Sequence, residues 1–169
     1  MTIVSSPDDV QKIIAKLQYY CNDEKYSLSS AKTTLERGRG HCVESALVAA
    51  SLMEQLGYLP FLLHFWAIPN ANHGVYLFEN AGNYFTFGKS RYPSLENKTD
   101  LNLSDLIRNY DTAFREIDRE LLTVSKVDLR ECQFDWRKSK EDIATPFNDF
   151  LSKEGVSNKK VWTSICRVP

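Results

Sequence analysis

Arg37-Gly38-Arg39-Gly40-His41-Cys42-Val43-Glu44-Ser45-Ala46 brings a glycine-rich approach up to a cysteine that opens a strongly apolar helix. From Cys42 the apolar positions Val43, Ala46, Leu47, Ala49, Ala50, Leu52, Met53 and Leu56 run around most of the helix, and Gly57 suits a left-handed cap. The pattern predicts a central, buried helix. On the face of Cys42 the next residues are Ala46, Ala49, Ala50 and Met53, mostly small enough for a sheet to pack close. At a helix N-terminus the free N–H groups and the positive dipole end favour thiolate over thiol. Most single cysteines are inert packing residues, so exposure and acidity decide whether Cys42 is more than that.

Three strands are expected next, over residues 59–67, 73–80 and 83–90. Asn80-Ala81-Gly82-Asn83 has a tight-turn composition, so the last two should form an antiparallel hairpin. With Ala81 and Gly82 as the turn, Asn80 pairs with Asn83 and the register carries His73 opposite Ser90. One extra loop residue would make the partner Lys89. Val75 and Leu77 alternate with Tyr76 and Phe78, which predicts a sheet covered on both faces.

A cysteine at a helix start and a histidine on a facing strand form the nucleophile and base of thiol acyl-transfer chemistry. The imidazole takes the thiol proton and later protonates the leaving amine. A third group holds its tautomer. Ser90 is the first candidate by register, ahead of Asn83, Asn80 and Lys89.

Gly40-His41-Cys42 and its helix, an intervening strand, His73-Gly74-Val75-Tyr76-Leu77-Phe78 and then Tyr84-Phe85-Thr86-Phe87-Gly88-Lys89-Ser90 resemble the transglutaminase-like cysteine peptidase superfamily over roughly residues 30–92. The resemblance implies a papain-like α+β core with Cys42 as nucleophile and His73 as base. The family's third residue is an aspartate on the strand after the histidine. This chain has no acidic residue from Asn80 to Arg91 and places Gly88, Lys89 or Ser90 there. Residues 37–44 also resemble the nucleophile region of arylamine N-acetyltransferases, longer relatives that use an aspartate too.

The chain has 169 residues, 43% hydrophobic and 25% charged, which fits one globular domain spanning residues 1–169. A net charge of −1 argues against a dominant attraction to nucleic acid or anionic membrane. With no bilayer-length apolar run and no secretory signal pattern at residues 1–6, a cytoplasmic location is expected. Cys21, Cys132 and Cys166 show neither zinc-ligand spacing nor a disulfide framework, so reduced thiols are expected and no metal or cofactor is called for.

The flanks read as scaffold. Ser6-Pro7-Asp8-Asp9 starts a helix continued by Val10, Ile13, Ile14 and Leu17. Residues 29–37 suggest a short helix; Gly38 and Gly40 either end it or let backbone and substrate approach closely. Residues 91–99 read as a polar, mobile connection bordering the cleft. Ser104 is expected to cap a helix with Leu106, Ile107, Tyr110, Phe114, Ile117 and Leu121 on one face. Phe134-Asp135-Trp136-Arg137 reads as packing at a surface edge, residues 141–153 as helical around Pro146, and Val161-Trp162-Thr163-Ser164-Ile165-Cys166 as a last strand.

Of the other site candidates, His41 adjoins Cys42 but points about 100° away along the helix, which makes it a substrate contact before a base. His64 reads as a core histidine, and Glu44 as an acid placed by the helix dipole. The combined expectation is an α+β enzyme acting on peptide, protein or small amide substrates through a Cys42 acyl-enzyme. His73 would be the base, Ser90 the orienting group, and Gly40, His41 and Lys89 would line the substrate path. Hydrolysis and transfer to an amine share this route. The alternatives are a binding module that keeps the fold without the chemistry, or acetyl transfer from coenzyme A.

Overall fold

The computed structural model describes residues 3–21, 27–69 and 71–153. Among the described residues, five α-helices accompany a five-stranded antiparallel sheet in an α+β arrangement. In chain order these are α1 (Pro7–Lys16), β1 (Gln18–Tyr19), α2 (Ala31–Arg37), β2 (Arg39–Gly40), α3 (Cys42–Met53), β3 (Phe61–Ile68), β4 (Ala71–Asn80), β5 (Asn83–Phe87), β6 (Thr99–Asp100), α4 (Leu103–Arg115), β7 (Glu120–Asp128) and α5 (Ala144–Lys153). The strand order is β6-β5-β4-β3-β7. A separate two-stranded parallel pair, β1 and β2, lies at the approach to Cys42.

Strand alternation splits the core in two. Leu62, Tyr76, Phe78, Phe87 and Val127 face α3 together with Val10 and Ile14 of α1. Leu63, Phe65, Val75 and Leu77 face Leu106, Tyr110 and Phe114 of α4. The sheet is thus covered on both sides, as its apolar alternation predicts. Every residue of α3 except Ser51 is buried, and Gly57 closes the turn after it with φ of 85°. The close packing has a specific cause at Gly74, where a Cβ would lie 3.0 Å from Val43 Cγ2 and 3.6 Å from Val43 Cα.

The hairpin register is the expected one from Asn80↔Asn83 to Tyr76↔Phe87, around a turn in which Ala81 (φ 50°) and Gly82 (φ 78°) are both left-handed. It does not extend to His73. β5 ends at Phe87, and the Gly88 N–H instead donates to Asn97 Oδ1 at 3.0 Å.

Asn102, not Ser104, caps α4 by accepting from the Asp105 N–H at 2.9 Å. The helix ends at Arg115, and Leu121 belongs to β7, a strand that helical spacing concealed. Residues 91–99 are docked: Pro93–Leu95 forms a 3₁₀ turn with Leu95 fully buried, and Thr99 and Asp100 pair with β5. Trp136 is fully buried, its indole N–H donating to the Leu129 carbonyl at 2.9 Å, while Arg137 grips Glu54 through two nitrogens at 2.6 and 2.7 Å. Cys21 is disulfide-bonded, against the expectation of reduced thiols, whereas Cys42 and Cys132 are free. The strand expected at 161–166 lies outside the described residues. No helix among the described residues is long and apolar enough to cross a membrane.

Candidate active site

The loop before Cys42 is built from backbone outward. Gly38 ends α2 in the left-handed region (φ 67°), its N–H donating to the Thr34 and Leu35 carbonyls. Gln18 N–H then donates to the Gly38 carbonyl at 3.0 Å and Tyr20 N–H to the Gly40 carbonyl at 3.1 Å, which stitches the loop to β1. Gly40 serves close approach: a Cβ there would lie 2.8 Å from Thr34 Cγ2 and 3.0 Å from Glu44 Oε2. The two glycines therefore divide the roles between helix ending and tight packing.

Glu44 locks the far side of this loop. Its side chain is 1% exposed and accepts from Ser29 N–H at 2.7 Å, His41 N–H at 3.0 Å and the Arg37 guanidinium at 2.5 Å. A buried carboxylate with three donors is a structural hub. Sequence reasoning assigned it to the helix dipole alone; a hint was its spacing three residues after a would-be cap, with Arg37 upstream.

Cys42 and His73 are brought together where β4 loses its partner β5. Val43 packs on Gly74, and Lys89 N–H donates to Ser45 Oγ at 2.9 Å, while Ser45 Oγ donates to the Cys42 carbonyl at 2.7 Å. The His73 ring is fully buried, and its Nε2 lies 2.6 Å from the Leu95 carbonyl oxygen. A carbonyl only accepts, so Nε2 carries a proton and Nδ1 is the nitrogen left for the sulfur. Nδ1 is itself buried with no nitrogen or oxygen partner.

His41 is the second imidazole at the sulfur. Burial alone would push the Cys42 thiol pKa up, but hydrogen bonding with His41 and His73 outweighs it and brings it down from 9.0 to about 5. Burial likewise opposes an imidazolium at His41, yet the hydrogen bond to Cys42 and the charge of Glu44 raise its pKa above 6.5. The other free thiol among the described residues behaves oppositely: burial pushes Cys132 up to about 12.

Ser90 does not hold the imidazole; its Oγ accepts from Tyr92 N–H at 3.0 Å, and Leu95 fills the place expected for it. The Lys89 ammonium pairs with Glu96 at 3.3 Å. His64, on β3, is buried and held neutral, its pKa lowered to about 3 chiefly by that burial. Among the described residues no cluster of three or more His, Cys, Asp or Glu could hold a metal ion. A backbone carbonyl as orienting group leaves no mark in side-chain identity, which is why sequence reasoning looked for a polar side chain instead.

The chain matches no family model and no curated protein.

Proposed function

We propose that this protein is a thiol enzyme of the transglutaminase-like, papain-like kind that cleaves or transfers amide acyl groups through a Cys42 acyl-enzyme. The observation that carries this reading is the placement of the Cys42 thiol at the N-terminus of α3 beside the rings of both His41 and His73, an arrangement that draws its pKa down. Ordinary packing cysteines lack such partners, as Cys132 shows. The thiolate attacks the amide carbonyl carbon, and the Cys42 N–H, in the first helical turn where no intrahelical carbonyl claims it, donates to the developing oxyanion. An imidazolium proton leaves with the amine, and His73, held in one tautomer by Leu95, serves as base when water or a second amine attacks the thioester. The disulfide at Cys21 favours an oxidising compartment over the cytoplasm.

The test is a panel of peptidyl and small-amide substrates and activated esters, read by intact mass. The expected result is an acyl adduct on Cys42 and turnover that falls ~10³-fold or more in Cys42→Ser. Acetylation by acetyl-CoA alone would mark the arylamine transferase reading.

Two observations favour a binding module. Cys42 is only 6% exposed, and a cavity of about 780 Å³ lies away from it, between α2 and α3, lined by Leu35, Val48, Ser51, Glu54 and Arg137. Failure of every acyl donor to modify Cys42 would favour the binding-module reading over the enzyme.

A further inference from the structure

The carboxylate absent from the strand after His73 has a counterpart on the nucleophile's own helix. Glu44 Oε2 lies 4.0 Å from His41 Nε2, and the His41 ring in turn hydrogen-bonds Cys42. On the far side of Glu44 stands Arg37. Arg37, Glu44, His41 and Cys42 therefore form a row in which cation and anion alternate, and the row sums to zero when the thiol proton has moved to His41. Resting on the thiol-enzyme reading, we propose that His41, and not His73, carries the proton of the resting Cys42 ion pair, with Glu44 as counter-charge, while His73 stays neutral as the base for deacylation.

The surroundings of the two rings separate their roles. His73 is fully buried among Phe65, Tyr110 and Phe114, with ring centroids 6.1, 6.2 and 6.5 Å away, and its Nε2–H is committed to a neutral carbonyl. A charge there would be desolvated with no carboxylate in contact among the described residues, the more costly arrangement. His41 has a buried carboxylate beside it. Among the described residues the ionisable groups facing the pair are Glu44 on α3, Arg37 on α2 acting through Glu44, His73 on β4, His64 on β3, which is neutral, and the buried Tyr110 phenol on α4, whose pKa burial raises. Two like groups in environments that separate their protonation divide naturally into acid and base.

The proton balance closes. In the resting site the S–H bond is broken and its proton sits on His41. Attack forms the C–S bond as the carbonyl π pair moves to oxygen; collapse breaks the C–N bond, and the amine leaves with that electron pair and the His41 proton. Water then bonds to the thioester carbon and gives a proton to His73 Nδ1. The C–S bond breaks, the acid leaves, and the thiolate returns the His73 proton to His41.

The experiment is nitrogen NMR of the intact protein labelled at its three histidines, at pH 7, with the ultraviolet thiolate absorbance that Cys42→Ser removes recorded in parallel. His41 should show two protonated nitrogens, and His73 a protonated Nε2 beside a bare Nδ1. Glu44→Gln should shift His41 toward the neutral form and slow Cys42 alkylation at pH 7 by roughly tenfold as the thiol pKa rises toward its free value. A doubly protonated His73 beside a neutral His41 and an ionised Cys42 would overturn the assignment and leave the thiol-enzyme reading standing. A protonated thiol between two neutral imidazoles would overturn both.

Discussion

Gly40 shows how narrowly the residue scale constrains the site. Any side chain there meets Thr34 Cγ2 at 2.8 Å and the Glu44 side chain at 3.0–3.1 Å, so Gly40→Ala must displace the hub that fixes the Cys42 loop. Overpacking of this kind costs ~1–3 kcal/mol. The expected outcome is that loss in urea unfolding, accompanied by slower Cys42 alkylation; unchanged stability would mean the loop gives way freely. The same scale explains what could be read in advance. Cys42 and His73 were legible because their chemistry resides in the side chain and their order along the chain fits a nucleophile and base. Leu95 was hidden because its contribution is a backbone carbonyl, and Glu44 because its three donors come from residues 29, 37 and 41, a convergence that only the folded loop reveals.

At the scale of elements, the β4–β5 hairpin was legible because turn composition fixes register. Ala81 nevertheless occupies a left-handed position (φ 50°) without the side chain that such a position favours. Ala81→Asn is expected to stabilise the protein by up to ~1 kcal/mol in urea unfolding, with Cys42 alkylation unchanged. A loss of stability would contradict the two-residue turn. Gly74→Ala tests the opposite side of β4: its Cβ would press Val43 and part α3 from the sheet, so a cost of ~1–3 kcal/mol and slower Cys42 alkylation are expected together. Loss of stability with full thiol reactivity would separate the packing from the site. β7 escaped the sequence reading because Leu121 continues the helical spacing of Phe114 and Ile117. The break is a local backbone event, Asp118 at φ 56°, that composition does not announce.

The whole molecule couples its stability to pH through buried titratable groups. His64 has its pKa depressed from 6.5 to about 3, so the folded state binds a proton less readily than the unfolded chain. Its contribution is fully present above pH ~6.5 and is lost as pH falls from there toward 3. Cys42, lowered from 9.0 to about 5, adds stability that is present above pH 9 and lost as pH falls toward 5. His41, with its pKa raised, works the other way, contributing below pH 6.5 and losing that contribution as pH rises through its folded value. His64→Gln should therefore flatten the acid limb of a stability profile between pH 6.5 and 3 without altering Cys42 reactivity at pH 7. An acid limb as steep as that of the unsubstituted protein would show that His64 does not set it.

Whether Cys42 is an activated thiolate is read from the pH dependence of its alkylation by iodoacetamide, followed by peptide mass spectrometry. Cys132, pushed up to about 12 by burial, is the internal comparison. Cys42 alkylation should rise through pH ~5 and be near its plateau at neutral pH while Cys132 stays inert, and the midpoint should move up in His73→Ala and in His41→Gln. A Cys42 that reacts only as pH approaches the free-thiol range of about 8.5, in all three proteins alike, would contradict an activated thiolate.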